Sequence, residues 1–138
     1  MKYEIVSKFI KDISFEIPSP ETYVMLEKDI SKYSLLFDIK SKPFKQNIIA
    51  VNTILKLVAA EDVKKKIQVE INITALVLIK GDLKDKKILE KIILTKVPAD
   101  IYPDLHDTLV FLFAKSGIKD VSIKKSVDFE KLYKEKNK

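Results

Sequence analysis

From Ile67 to Val77 aliphatic side chains recur at every second position: Ile67, Val69, Ile71, Ile73, Ala75 and Val77, with Gln68, Glu70, Asn72 and Thr74 between them. A period of two sets the first group on one face of an extended strand and the second on the other. Wound as a helix, the same order would spread its apolar residues around the whole circumference. The stretch is therefore a strand with one dry and one wet face, and such a strand needs neighbours. Residues 3–17 supply one: Ile13, Phe15 and Ile17 alternate with Asp12, Ser14 and Glu16 until Pro18-Ser19-Pro20 stops the ladder. Residues 33–41 alternate again, with Leu35, Phe37 and Ile39 against Ser34, Asp38 and Lys40. Residues 47–60 carry Ile49, Val51, Leu55 and Leu57 on one face, while Asn52 and Lys56 share the other with Ile48, Ala50 and Ile54. The polar break from Glu61 to Lys65 has the length of a hairpin connection. Four strands so joined make an antiparallel sheet covered on one face.

Beyond Gly81 the period changes. Ile88, Leu89, Ile92 and Ile93 recur at helical spacing, which predicts a short helix over 84–95, ended by Pro98. A loop through Ile101-Tyr102 then leads to a second helix, Asp104 to Ser116, with Gly117 as its C-terminal cap. A strand-like stretch at Val121 and Ile123 follows. Asp128 caps a last helix that turns Phe129, Leu132 and Tyr133 inward. Strands first and helices last is an α+β order, with the helices packed on one face of the sheet. Residues 1–133 form one domain, with neither repeat nor linker, and 134–138 form a charged tail expected to fray. The segment Leu109–Ala114 is apolar almost all round, so it needs burial on two sides. With Tyr23-Val24-Met25-Leu26, it offers more apolar surface than one small core can use, which points to an oligomer, to a groove for apolar polypeptide, or to both.

Composition removes most chemistry. The 138 residues hold no cysteine and a single histidine, so thiolate nucleophiles and cysteine or histidine metal clusters are excluded. Two glycines cannot build a phosphate-binding loop, which argues against ATP use. His106 has no nucleophile beside it and reads as an exposed first-turn residue near acidic groups. Asp82 and Asp85 read as turn and cap residues. No catalytic constellation, cofactor or metal site is expected. No apolar run reaches the length of a membrane span and the start lacks a signal-peptide core, so the default expectation is a soluble cytoplasmic protein. All 26 basic residues are lysine, giving a net +6 with no arginine fork for reading nucleic acid. A basic oligomeric binding module is nonetheless the rival to a groove protein.

Lys11-Asp12-Ile13-Ser14-Phe15-Glu16 followed by Pro18 resembles the first strand of the SecB family of protein-export chaperones. The strand Ile67 to Gly81 is similar to the family's glycine-ended strand, and Pro98-Ala99-Asp100-Ile101-Tyr102-Pro103 resembles its P-N-I-L-F-P entry to the long helix. Lys115-Ser116-Gly117 matches the end of that helix, and Val127 to Tyr133 resembles V-N-F-D-A-L-F. The likeness spans roughly 9–133. It departs from the family in the positive net charge, where members are usually acidic, and in the absence of tryptophan.

The resemblance implies an ATP-independent holdase that binds unfolded precursor proteins and hands them to the SecA motor, without nucleic acid and without direct membrane insertion. Some SecB-like proteins instead chaperone antitoxins, and both duties stay open. It further implies a homotetramer built as a dimer of dimers, with Val69, Ile71 and Ile73 under the helices near the dimer–dimer contact and Val110 and Phe113 close by. Leu35, Phe37, Ile39, Ile49 and Val51 resemble the client surface. Asp12, Glu16 and Glu70 match the surface that receives SecA.

Overall fold

The computed structural model describes residues 2–81, 84–118 and 121–136. Four antiparallel strands, β1 (Lys2–Glu16), β2 (Tyr33–Lys45), β3 (Ile48–Ala59) and β4 (Gln68–Lys80), form one sheet in the order β1-β4-β3-β2. The last strand in sequence therefore lies inside, and β1 and β2 are the two edges. Cross-strand partners share a face, so the register sorts every side chain. Phe15, Val69, Ile71, Leu55, Phe37, Leu57 and Leu35 lie on an inner face, together with the buried Ile73, Ala75, Val77 and Val51. Two bulges, between Ile5 and Ser7 and between Ile10 and Asp12, shift the alternation of β1 twice. That is why its period of two is clean only from Asp12 onward. Asn47 closes the β2–β3 hairpin at a φ of 63°, a left-handed conformation that asparagine tolerates, and its carbonyl accepts from the Ile79 N–H at 2.8 Å.

Helices cover the inner face only. A helix absent from the sequence reading, α1 (Pro20–Asp29), begins directly after β1. Ser19 is its N-cap, accepting from the Thr22 N–H at 3.1 Å, and Pro20 occupies the first turn, where its missing N–H costs nothing. Pro18-Ser19-Pro20 thus ends a strand and starts a helix. Only Thr22, Leu26 and Asp29 of α1 are buried, so its apolar periodicity is weak.

Pro98 lies inside a helix and does not end one. Helix α2 (Lys86–Lys91) passes through a π-helical turn, Ile92–Lys96, into α3 (Val97–Lys115) without leaving helical geometry. The N–H of Val97 bonds the Ile92 carbonyl, and this wider turn gives the proline ring the room that a regular turn denies it. Ile101 and Tyr102 are consequently helical and buried at 0% and 1% exposure, not in a loop. Pro103 sits inside α3, where an interior proline costs about 3 kcal/mol. Burial of Ile101, Tyr102, Leu105 and Leu109 at roughly 1.5–3 kcal/mol each outweighs that.

Val121 and Ile123 lie in irregular chain rather than a strand. The last helix, α4 (Phe129–Lys136), carries helical structure three residues into the segment expected to fray. Asp128 accepts from the Lys131 N–H at 3.0 Å and Phe129 is buried, whereas Leu132 is exposed at 36%. No helix among the described residues is long and apolar enough to cross a membrane.

Candidate functional site: an apolar groove and an acidic sheet face

A surface groove of about 650 Å³ lies between the β2 side of the sheet and the C-terminal segment. Its floor is Leu35 and Leu57, opposite each other across β2 and β3, with Phe37, Leu109 and Phe113 beside them. Its far wall is the chain from Val121 to Asp128 and the first turns of α4.

That wall is irregular chain, and α3 is what holds it. Tyr102 donates its hydroxyl to the Lys124 carbonyl, and one turn later His106 places Nε2 3.3 Å from the Ile123 carbonyl. Nδ1 of His106 lies 3.1 Å from Asp107 Oδ1. His106 therefore stands in the middle of α3 with its side chain 15% exposed, not in a first turn open to solvent, because α3 starts seven residues earlier than its periodicity suggested. Phe129 anchors the start of α4 by packing edge-to-face on Phe37 at 5.0 Å and on Tyr102 at 6.3 Å between ring centroids. Such contacts add about 0.5–1.5 kcal/mol each to the area they bury. Tyr33 supports the near wall, its hydroxyl accepting from the Ile67 N–H at 3.0 Å.

Of the five residues expected to form the groove, the structure brings two to it, Leu35 and Phe37. Ile39, Ile49 and Val51 share the same sheet face but lie farther along the strands, and Val51 is wholly buried. Periodicity assigns a face; it carries no information on which half of that face a helix covers. Leu57, Val121, Ile123, Val127 and Leu132 were missed as lining, although the apolar spacing of Val121, Ile123 and Val127 was visible. Among the residues expected at the oligomer contact, Val69, Ile71, Ile73 and Phe113 are core of the single chain, exposed by 4% or less. Val69, Ile71 and Ile73 lie beneath the helices, and Phe113 also lines the groove. Val110 alone is exposed, at 42%, next to Phe111 at 57%.

The outer face of the sheet is bare. Ser14 stands opposite Glu70, and Asp12 and Glu16 flank Ser14 on the same face, so the three acids occupy adjoining rows of β1 and β4. Glu70 pairs with Lys56 at 3.4 Å across to β3, while Asp12 and Glu16 are exposed. Between Asp12 and Ile54 sits Asn72, whose buried Oδ1 has no hydrogen-bond partner. Asp85 caps α2, accepting from the Ile88 N–H at 3.3 Å, and Asp82 lies outside the described residues.

Residues 1–138 match the family model described as preprotein translocase subunit SecB. The chain belongs to the SecB family. It is 43% identical over 134 residues to a protein of Pelagibacter ubique (strain HTCC1062) carried under the name protein-export protein SecB, covering 97% of this chain and 96% of that one. The fold agrees with a solved SecB-like chaperone of Mycobacterium tuberculosis, in complex with a ChAD peptide from the HigA1 antitoxin. That match has a TM-score of 0.63 and 13% identity, and covers 88% of this chain and 89% of the other. The SecB family is one of chaperones, and the groove and the acidic face are surfaces of this member that its own core leaves uncommitted.

Proposed function

We propose that this SecB chain is an ATP-independent holdase that binds unfolded precursor proteins and passes them to SecA. The observation that carries the reading is the groove of about 650 Å³ with an apolar floor and a polar rim. An extended segment laid there buries apolar side chains at ~25 cal/mol per Å² without any requirement on its sequence, so binding is promiscuous. Several grooves in one assembly raise the affinity of a long unfolded client. The acidic rows at Asp12, Glu16 and Glu70 suit a basic segment of SecA, within the ~8–10 Å over which charges act at ordinary salt.

The oligomer belongs to the same proposal, as a tetramer built from dimers. The edge β1 supports it: Val6, Phe9, Ile10 and Ile13 are each 39% or more exposed beside unpaired backbone groups. An exposed apolar edge without a proline is a template for a strand from another copy.

The test has two arms. Leu132→Glu at the groove rim should abolish the delay that wild type imposes on the aggregation of a slow-folding client, with ATP making no difference. Asp12→Lys with Glu70→Lys should cut binding to SecA and leave client holding intact. A wild type that does not delay aggregation ends the holdase reading. SecA binding that is absent at low salt, or unmoved by the double reversal, ends the export role and favours an antitoxin-type chaperone.

A further inference from the structure

The end of the outer face opposite the acidic rows is basic, and its lysines are not those of an evenly solvated surface. Register places Lys40, Lys42 and Lys45 of β2 opposite Asn52, Ala50 and Ile48, which puts all three on the outer face at its edge. Lys2 and Lys80 stand directly opposite each other at the same end of β1 and β4, and Lys80 follows Ile79, whose N–H bonds the hairpin turn at Asn47. Like charges placed opposite each other on a sheet are destabilising. Glu4 pairs with Lys80 at 3.3 Å, and Asp38 approaches Lys40 only to 3.9 Å. Among the described residues Lys2, Lys42 and Lys45 have no carboxylate within ion-pair distance.

An aromatic ring crowns this cluster. Phe44 is the extra residue of the bulge between Pro43 and Lys45, which turns it out of the ladder at the very tip, and it is 52% exposed. Lys45 Nζ lies 5.3 Å from its ring centroid. Every residue from Ser41 to Asn47 is exposed, so the tip is convex and offers a partner no cleft. Edge lysines and Pro43 guard β2 against pairing with another strand, which explains a lysine or two but not an exposed phenylalanine among them.

We propose that the β2–β3 hairpin tip is a peripheral docking site for an anionic lipid surface. Four features favour a bilayer over an acidic polypeptide. The tip is convex rather than grooved. Its lysines are point charges, without the arginine fork that reads a single carboxylate or phosphate. The strand edge beside it is closed to β-addition by Pro43. The phenylalanine projects where an aromatic ring would enter the headgroup layer while lysines stay among anionic headgroups. The contact is peripheral, and no segment crosses the membrane.

The experiment uses the full chain and sedimentation with vesicles. Wild type should bind vesicles of equal parts phosphatidylcholine and phosphatidylglycerol, should not bind pure phosphatidylcholine, and should be released by salt. Lys42→Glu with Lys45→Glu should weaken binding at least about tenfold, whereas Lys64→Glu with Lys65→Glu, at the opposite end of the sheet, should leave it nearly unchanged. Since the chain contains no tryptophan, Phe44→Trp gives a single indole whose emission should shift to the blue on the anionic vesicles. The proposal is overturned by no binding to anionic vesicles, by equal loss in both double reversals (net charge alone would then drive binding), by an indole emission that does not shift, or by poly-glutamate binding the tip while vesicles do not.

Discussion

Thr53 is fully buried on the inner face between Ile39 and Ile73, and its hydroxyl has no partner. A buried hydroxyl left unpaired costs about 1–3 kcal/mol, so Thr53→Val, of nearly the same shape, should raise the unfolding free energy by about 1 kcal/mol in urea titration. Tyr3 makes a different kind of statement. Its burial, followed by the 2.5 Å hydrogen bond to Asp100 and the charge of that carboxylate, pushes its hydroxyl up to about 12 from 10.0. The folded chain therefore favours the protonated form. The resulting stability is complete below the unfolded value and disappears as pH rises through 12. Tyr3→Phe should lose less stability than wild type between pH 10 and 12, read as the difference in urea midpoints. Equal slopes would show that this hydroxyl is not coupled to folding. Neither effect was legible in the sequence, because both depend on what another element brings to the side chain.

At the scale of elements, the strands were readable because each has a wet and a dry face that its own alternation records. The helices were readable only in part. Segment α1 has a Ser-Pro start but almost no apolar stripe, so nothing in its periodicity separates it from a loop. The run from α2 through α3 is interrupted by two prolines whose local preference is overruled by burial against β3 and β4. The C-terminal wall of the groove depends on a single side chain more than on its own propensity. Phe129 joins α4 to Phe37 and Tyr102, and Lys91–Glu130 at 3.3 Å is an exposed pair of little weight. Phe129→Ala should cost about 3–5 kcal/mol if the whole chain unfolds in one transition. It should also raise hydrogen exchange first in 121–136, since this segment has no other buried anchor of that size. Uniform acceleration across the sheet would show that the wall is not a separable unit.

For the whole molecule, the two sheet edges differ in a way that bears on the proposed assembly. β2 is guarded by Lys40, Lys42, Lys45 and Pro43, whereas β1 exposes Val6, Phe9, Ile10 and Ile13. Wild type should therefore scatter light as an assembly at micromolar concentration, and Ile10→Lys should shift it toward smaller species while the circular dichroism stays unchanged. A stable wild-type monomer would refute the edge as an interface. Val110 and Phe111 form another exposed apolar area, on α3, and in the proposed tetramer this would join the dimers.

The amino-acid order alone carries the four strands, the inward and outward residues of β2, β3, β4 and the second half of β1, the α+β order, the caps at Asp128 and Gly117, and the family. All of these rest on spacing within one segment or on residues adjacent in the chain. Tertiary structure alone decided which of the inward residues are sealed and which are open. Leu35 and Val51 lie on one face with the same pattern; one floors the groove and the other is core. The difference is where α3 and the pinned segment 121–128 come to rest on the sheet, which is fixed by contacts such as Tyr102 to Lys124 and Phe129 to Phe37 between residues distant in the chain. A period of two or of 3.6 cannot encode such contacts, because it describes one element against an unspecified neighbour.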